Sequence, residues 1–219
     1  MGTVFRAAMM VIFLGLCGLI LWRWKINGWG SIVWIASAIL MTVIRAPHAA
    51  KTRDNKITEK FAVNTERLLL VLVGIAGTYL PVIHLATGLL SFADYSAPNW
   101  VPAIGIALMV PGIWLFRRSH ADLGRNWSVT TELREEHTLT TNGVYKRIRH
   151  PMYSAIWLIF ASYPFLIQNW ILGPAAIVVF AIMYVVRVPV EESMMRKQFG
   201  EAYDTYIAQT GRLWPRMSQ

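Results

Sequence analysis

Residues 151–186 read PMYSAIWLIFASYPFLIQNWILGPAAIVVFAIMYVV, a stretch without a single Asp, Glu, Lys or Arg. Continued as one helix, the run after Tyr153 would be about 33 residues and, at ~1.5 Å per residue, roughly 50 Å long. A hydrocarbon core is only ~30 Å thick, so the chain has to fold back within this stretch. Gln168, Asn169, Gly173 and Pro174 supply the polar and turn-forming residues for the reversal. The two arms are short for full spans, and two readings stay open: a pair of short membrane spans, or a re-entrant helical hairpin. Both return the chain to the face it started from.

Upstream, Leu68–Ala93 and Tyr95–Phe116 are equally free of charged residues, and two further apolar runs cover Ala7–Trp22 and Trp29–Ile44. With 55% apolar residues, 15% charged residues and a mean hydropathy of +0.43, the chain reads as an all-α integral membrane protein of about six transmembrane segments. Pro81 and Pro111 fall inside two segments, where a membrane helix tolerates proline if a neighbouring helix satisfies the freed carbonyl.

Basic residues fix the expected orientation. Arg45, Lys51, Arg53, Lys56, Lys60 and Arg67 lie between segments two and three, and Arg117, Arg118, Arg125, Arg134, Lys146, Arg147 and Arg149 between four and five. Arg187, Arg196, Lys197, Arg212 and Arg216 follow the sixth, whereas the alternate loops hold only Arg23 and Lys25. The positive-inside rule therefore predicts a multi-pass protein with both termini and the polar loops in the cytosol. The formal charge of +9 is accounted for by this asymmetry and by attraction to anionic lipid, so no nucleic-acid partner is expected. No cleaved signal peptide is expected either, since only Arg6 precedes the first segment. Cys17, the single cysteine, reads as core packing, and no His and carboxylate spacing suggests a metal. Of the histidines, His48, His84 and His120 read as isolated, with His84 hydrogen-bonded to a neighbouring helix.

Two polar clusters flank the 151–186 run: His137 to Tyr153 before it and Arg187 to Glu192 after it. Charged and ring-bearing groups gathered at the end of membrane helices are costly without partners and point to a ligand site. The whole chain reads as one membrane domain, 1–219, in which 1–66 form a helical pair and a basic loop. Residues 117–150 and a C-terminal helix form a cytosolic cap. That helix is expected to continue out of the membrane through Glu191, with Phe199, Tyr203 and Tyr206 on one face.

The order Leu123-Gly124, Trp127-Ser128, His137-Thr-Leu-Thr, Gly143-Val-Tyr145, Arg149-His-Pro-Met-Tyr153, Glu191-Glu192, Phe199-Gly200, Tyr203, Tyr206 and Pro215 resembles the isoprenylcysteine carboxyl methyltransferase family and its prokaryotic relatives. The resemblance covers about the last hundred residues and makes 117–219 the expected methyltransferase core. It implies an S-adenosylmethionine-dependent O-methyltransferase with the cofactor enclosed between a membrane hairpin and a cap. Carried over, His137, Thr138, Leu139, Thr140, Tyr145, Arg149, His150, Pro151, Met152, Tyr153 and Glu191 would bind the cofactor, and Arg187 the substrate. Where the eukaryotic pattern has a glutamine seven residues before the histidine, this chain has Thr130.

The residue types suit that chemistry. A carboxylate can pair an ammonium, donors can receive a carboxylate, and the Tyr145 and Tyr153 rings can face a sulfonium or an adenine. Arg187 and Glu191 are four apart, hence on one helix face, and together form the expected catalytic pair: the arginine for a substrate anion, the glutamate for the cofactor ammonium. Glu192 points about 100° away and is expected to form a surface ion pair with Arg196, four residues on. The partners implied are membrane lipid and a lipophilic acid or prenylated peptide. Two alternative activities are an N-methyltransferase of the phospholipid type and an NADPH-dependent reductase of the sterol-reductase type; a lipid-binding scaffold is the non-enzymatic reading.

Overall fold

The computed structural model describes residues 3–51, 57–60, 64–124, 132–134 and 138–216. The chain is an up-and-down arrangement of helices: α1 (Thr3–Trp22), the one-turn α2 (Trp24–Asn27), α3 (Gly30–Lys51), α4 (Asn64–Gly74), α5 (Leu80–Thr87), α6 (Val101–Leu123), α7 (Pro151–Ile167), α8 (Leu172–Phe199) and α9 (Glu201–Gln209). A π-helical turn, Ile75–Tyr79, joins α4 to α5 into one kinked span. Helical stretches at Gly30–Ala49, Asn64–Thr87, Val101–Leu123 and Leu172–Phe199 are long and apolar enough to cross a membrane, and α7 is a shorter apolar helix. The protein is thus a multi-pass integral membrane protein. One addition to the helices is a short antiparallel pairing of β1 (Ile57–Lys60) with β2 (Glu132–Arg134), which ties two of the basic loops together on one face.

Pro81 explains the π turn. Proline has no N–H to give the carbonyl four residues back, which here is that of Gly77. The Tyr163 hydroxyl of α7 donates to this carbonyl at 2.8 Å, so a neighbouring helix closes the gap that proline opens. On the face away from the β1–β2 pairing, the fully buried Asn169 forms a knot. Its amide nitrogen donates to Leu90 O at 2.9 Å and to Asp94 Oδ1 at 2.7 Å, while its oxygen accepts from the Ile171 and Leu172 N–H groups, both at 3.0 Å, at the start of α8. His84 Nε2 joins Asp94 at 3.2 Å, and its Nδ1 accepts from Leu90 N–H at 3.3 Å. His84 is therefore held by the loop that follows its own helix rather than by a neighbouring helix.

Several expected boundaries shift. The hairpin turn is Gln168–Ile171, with Gln168 in the left-handed region at φ 54°, and Gly173 and Pro174 lie in the first turn of α8 instead. A Cβ on Gly173 would come within 2.7 Å of Pro164 Cγ, so this glycine serves close packing of the hairpin rather than reversal of the chain. At the other end α6 runs on through Arg117 to Leu123, carrying the helix beyond its apolar run. The C-terminal helix is not continuous either: Gly200, at φ 53°, separates α8 from α9, so Phe199 does not share a helix with Tyr203 and Tyr206.

Helices α6 and α7 form the tightest seam. A Cβ at Gly105 would meet Leu166 Cγ at 2.6 Å, and one at Gly112 would meet Ile159 Cγ1 at 2.9 Å. Two glycines seven residues apart thus let the backbones approach where lipid offers no hydrophobic drive for association. Gly105→Val is expected to cost about 1–3 kcal/mol through overpacking. This is measurable as a lowered midpoint of thermal unfolding in detergent, whereas Gly15→Val, at a site with nothing within 4 Å, should leave the midpoint nearly unchanged.

Candidate functional site

The site assembles where α4, α7, α8 and the C-terminal tail meet, on the β1–β2 side. Residues before α7 are set by a 3₁₀ turn, Gly143–Lys146, that opens on Gly143 at φ 55°. Asp122, at the end of α6, accepts the Val144 N–H at 2.9 Å and pairs with Arg118 at 2.9 Å. A Cβ on Gly143 would collide with the Asp122 carboxylate. The turn buries Tyr145, whose carbonyl accepts the Tyr206 hydroxyl at 2.7 Å. Burial pushes both phenols up from their ordinary range, and pushes Tyr203 up to about 12, so all three stay neutral near pH 7.

The segment 147–150 then runs alongside the tail. Arg149 N–H donates to Gly211 O at 2.8 Å, His150 N–H to Arg212 O at 3.0 Å, and Gly211 N–H to Arg147 O at 3.1 Å. Ser154 Oγ adds a bond to Leu213 O at 2.6 Å. The Arg149 guanidinium donates to the carbonyls of Ile207 and Thr210, the exposed acceptors at the end of α9. Pro151 is the first residue of α7 and is buried, leaving His150 non-helical at φ −122°, ψ 60°.

What this brings together is a continuous chain of charge. Arg187 Nε lies 3.3 Å from Glu66 Oε1 and 2.7 Å from Glu191 Oε1. Glu191 Oε1 also accepts the Tyr153 hydroxyl at 2.9 Å, and Glu191 Oε2 lies 3.7 Å from His150 Nδ1. The other ring nitrogen, Nε2, is 3.2 Å from Glu192 Oε1. Arg212 grips Glu192 through Nε at 3.0 Å and Nη2 at 2.6 Å, with Arg149 Nε at 3.6 Å. Glu192 is therefore no surface residue. It is 3% exposed and engages Arg212, while Arg196 pairs with Asp204 at 3.2 Å instead. The expectation of a Glu192–Arg196 pair fails because the chain leaves the helix at Gly200, α9 then offers Asp204 to Arg196, and the tail delivers Arg212 to Glu192.

Arg149, His150, Tyr153, Arg187 and Glu191 line one end of a cavity of about 570 Å³, with Glu66, Glu192 and Arg212 outside its lining. Thr138, Leu139, Thr140, Tyr145, Arg149, His150, Met152, Tyr153, Arg187 and Glu191 all lie on its wall, and Pro151 stands behind it. His137 lies outside the described residues, as do Trp127, Ser128 and Thr130. The cavity continues between the helices. On α7 its wall repeats at Tyr153, Ile156, Ile159, Phe160 and Tyr163, which run ~15 Å along the axis, with His150 just ahead of the helix. Ile35 and Ala38 of α3, Leu70 and Val73 of α4, Val82 of α5 and Met183 of α8 complete an apolar arm. The cavity thus joins a charged end beside the cap to an apolar end among the spans, and its volume falls in the ~300–1,000 Å³ range of ligand sites.

Sequence reasoning missed Glu66, Arg45, His120 and Arg212. Glu66 and Arg212 carried no local pattern, since Glu66 opens α4, 121 positions before Arg187 by count of the chain, and Arg212 follows a helix break. His48 and His120 are not isolated: their rings stand 5.2 Å apart and His120 lies on the cavity wall. The donor set fits S-adenosylmethionine. Glu191 keeps lone pairs on Oε2 for an ammonium, the Tyr153 ring is at hand for a cation, and methionines at 152, 183, 194 and 195 offer adaptable, polarisable walls.

Residues 100–202 match the family described as phospholipid methyltransferase. Protein-S-isoprenylcysteine O-methyltransferase B of Arabidopsis thaliana is 29% identical over 115 residues, covering 49% of this chain and 55% of that protein. A probable protein-S-isoprenylcysteine O-methyltransferase of Oryza sativa subsp. indica is 28% identical over 131 residues, covering 56% and 65%. The matched stretches thus span between about half and two thirds of these relatives' lengths. Among solved structures, that of the eukaryotic intramembrane Ras methyltransferase ICMT (isoprenylcysteine carboxyl methyltransferase), without a monobody, superposes with a TM-score of 0.52 at 18% identity, covering 99% of this chain and 87% of that one, a likeness of fold. Residues 100–202 are thus similar to the phospholipid methyltransferase family, about half of the chain is similar in sequence to isoprenylcysteine O-methyltransferases, and the fold is like that of the solved methyltransferase.

Proposed function

We propose that the protein transfers a methyl group from S-adenosylmethionine to the carboxylate of a lipid-tailed acid, with an isoprenylated cysteine the best fit. The observation that carries this reading is one cavity that joins a charged end at Arg187 and Glu191 to an apolar arm following α7 from Ile156 to Tyr163, ~10 Å along the axis. S-adenosylmethionine, when bound, supplies a methyl group on a sulfonium leaving group. Glu191, through Oε2, receives the ammonium of the amino acid moiety, and Tyr153 holds Oε1 of the same carboxylate at 2.9 Å so that it cannot swing away. Arg187, 12% exposed and fixed by Glu66 and Glu191, orients the acceptor anion beside it. The apolar arm takes the lipid tail, and burial of that tail excludes water from the charged end. The positive-inside rule supports a cytosolic position for this end and both termini, since the loops that β1 and β2 join are rich in basic residues.

A second reading, methylation of a phospholipid amine, draws support from the description of the matching family. The two differ in proton accounting. A carboxylate with a pKa near ~3.5 is ionised at neutral pH and needs no base, whereas an ammonium must lose a proton before it attacks.

Calorimetric titration of the purified protein with S-adenosylmethionine and with NADPH tests the reading at its root: binding of NADPH alone would assign the site to a reductase, and binding of neither would remove the enzyme reading. With N-acetyl-farnesylcysteine as acceptor, methyl transfer should be flat between about pH 6 and 9. A rise through that window would favour the amine. Glu191→Gln should weaken S-adenosylmethionine binding by about ten- to a hundredfold, the loss of one charge-assisted bond. Arg187→Lys should raise the acceptor KM by about tenfold, because an ammonium cannot reproduce the fork of a guanidinium, while the cofactor Kd stays within about twofold.

A further inference from the structure

Glu192 and Arg212 play no part in the mechanism above, although Glu192 is buried and is held by His150, Arg212 and Arg149. Arg212 also lies beyond residues 100–202, in the tail that pairs with 147–150. Both bear on His150, whose ring stands between two adjacent carboxylates: Nε2 at 3.2 Å from Glu192 Oε1, and Nδ1 at 3.7 Å from Glu191 Oε2.

Resting on the S-adenosylmethionine reading, we propose that Glu192, clamped by Arg212, is a positioning residue that fixes the tautomer of His150 so that Nδ1 and Glu191 Oε2 together receive the cofactor ammonium. The reasoning is one of donors and acceptors. Arg212 spends two N–H groups on the two oxygens of Glu192, so this carboxylate is ionised and can only accept. The His150 nitrogen that faces it must carry the hydrogen. A cation brought against Glu191 repels a second positive charge on the ring, so the ring meets it neutral, as the Nε2–H tautomer. Nδ1 is then a bare lone pair beside a carboxylate oxygen, two acceptors 3.7 Å apart on one cavity wall. An ammonium, with three hydrogens to give, satisfies both. A neutral donor with one hydrogen satisfies only one, so the pair selects for the charged head. The tail beyond α9 thereby becomes part of the cofactor site without touching the cofactor.

Glu192→Gln tests this at constant shape. Glu192 Oε1 accepts from both Arg212 Nε and the facing His150 nitrogen while Oε2 accepts from Arg212 Nη2, so an uncharged amide with one acceptor oxygen no longer holds the hydrogen on Nε2. The tautomer with the hydrogen on Nδ1, which turns the acceptor into a donor aimed at the ammonium, then becomes populated. Calorimetry on the full-length protein in detergent should show S-adenosylmethionine binding weakened by about ten- to a hundredfold. 5′-Methylthioadenosine, which has the nucleoside and the thioether but no amino acid, should bind the variant and the parent alike. Equal weakening of both ligands, or no change in either, would overturn the proposal and leave the S-adenosylmethionine reading standing. Failure of the parent protein to bind S-adenosylmethionine would end both. If Glu192→Gln does not fold, Arg212→Met at the half-exposed end of the pair takes its place. It should shift S-adenosylmethionine affinity and spare methylthioadenosine, and a shift shared by both ligands would again refute the assignment.

Discussion

Three carboxylates and two guanidinium groups leave water together at the edge of the membrane in this protein, Glu66, Glu191 and Glu192 against Arg187 and Arg149, with the half-exposed Arg212 closing the chain. Each desolvated ion costs several kcal/mol, and a single pair rarely recovers the cost of burial. The arrangement is tolerable because the links are shared. Arg187 serves two glutamates, Glu192 serves two arginines and a histidine, and Tyr153 donates to an oxygen that already faces Arg187. Breaking one link strands a buried charge at a cost of about 3–5 kcal/mol, so the chain of charge acts as a lock on the elements that carry it. Those elements are α4, α7, α8 and the tail, and their meeting point is the charged end of the cavity.

The rest of the fold is arranged to bring these elements to one place in an apolar solvent. Lipid gives helices no hydrophobic reason to associate, so backbone contact and polar bonds hold them. The glycine seam of α6 against α7, the Tyr163 bond to the carbonyl that Pro81 leaves open, and the Asn169 knot do this on the side away from the cap. On the cap side the work passes to the tail, which lies along 147–150 like an added strand and seats Arg149 under the end of α9. Between the two sides is the cavity, charged at one end and apolar at the other, a shape that suits one ligand with a charged head and another with a long tail.

Much of the site was legible because its residues cluster in sequence. Residues 138–140 and 145–153 sit in one short segment against a membrane span, and Arg187 and Glu191 are one helical turn apart, so local periodicity is enough to group them. The turn at Gln168 was legible for the same reason, although Gly173 and Pro174 proved to be helix-packing residues. Glu192 was misread because helical periodicity gives the direction of a side chain but not what waits there. At Gly200 the chain leaves the helix, and where it returns depends on contacts far along the sequence. Glu66 was silent because one acidic residue at a helix start is ordinary, and its partner arrives only when α4 and α8 pack.

By itself, then, the amino-acid sequence determined that the chain lives in a membrane, that the run after Tyr153 folds back on itself, and which short segments gather at the charged end of the cavity. These follow from hydropathy over ~20 residues and from spacing within a few helical turns, both local properties. Tertiary structure alone decided which charges pair: Glu66 with Arg187, and Glu192 with His150 and Arg212. The physical reason is that a buried ion must be neutralised by whatever the packing brings within about 4 Å, and separation along the chain places no limit on which group that is.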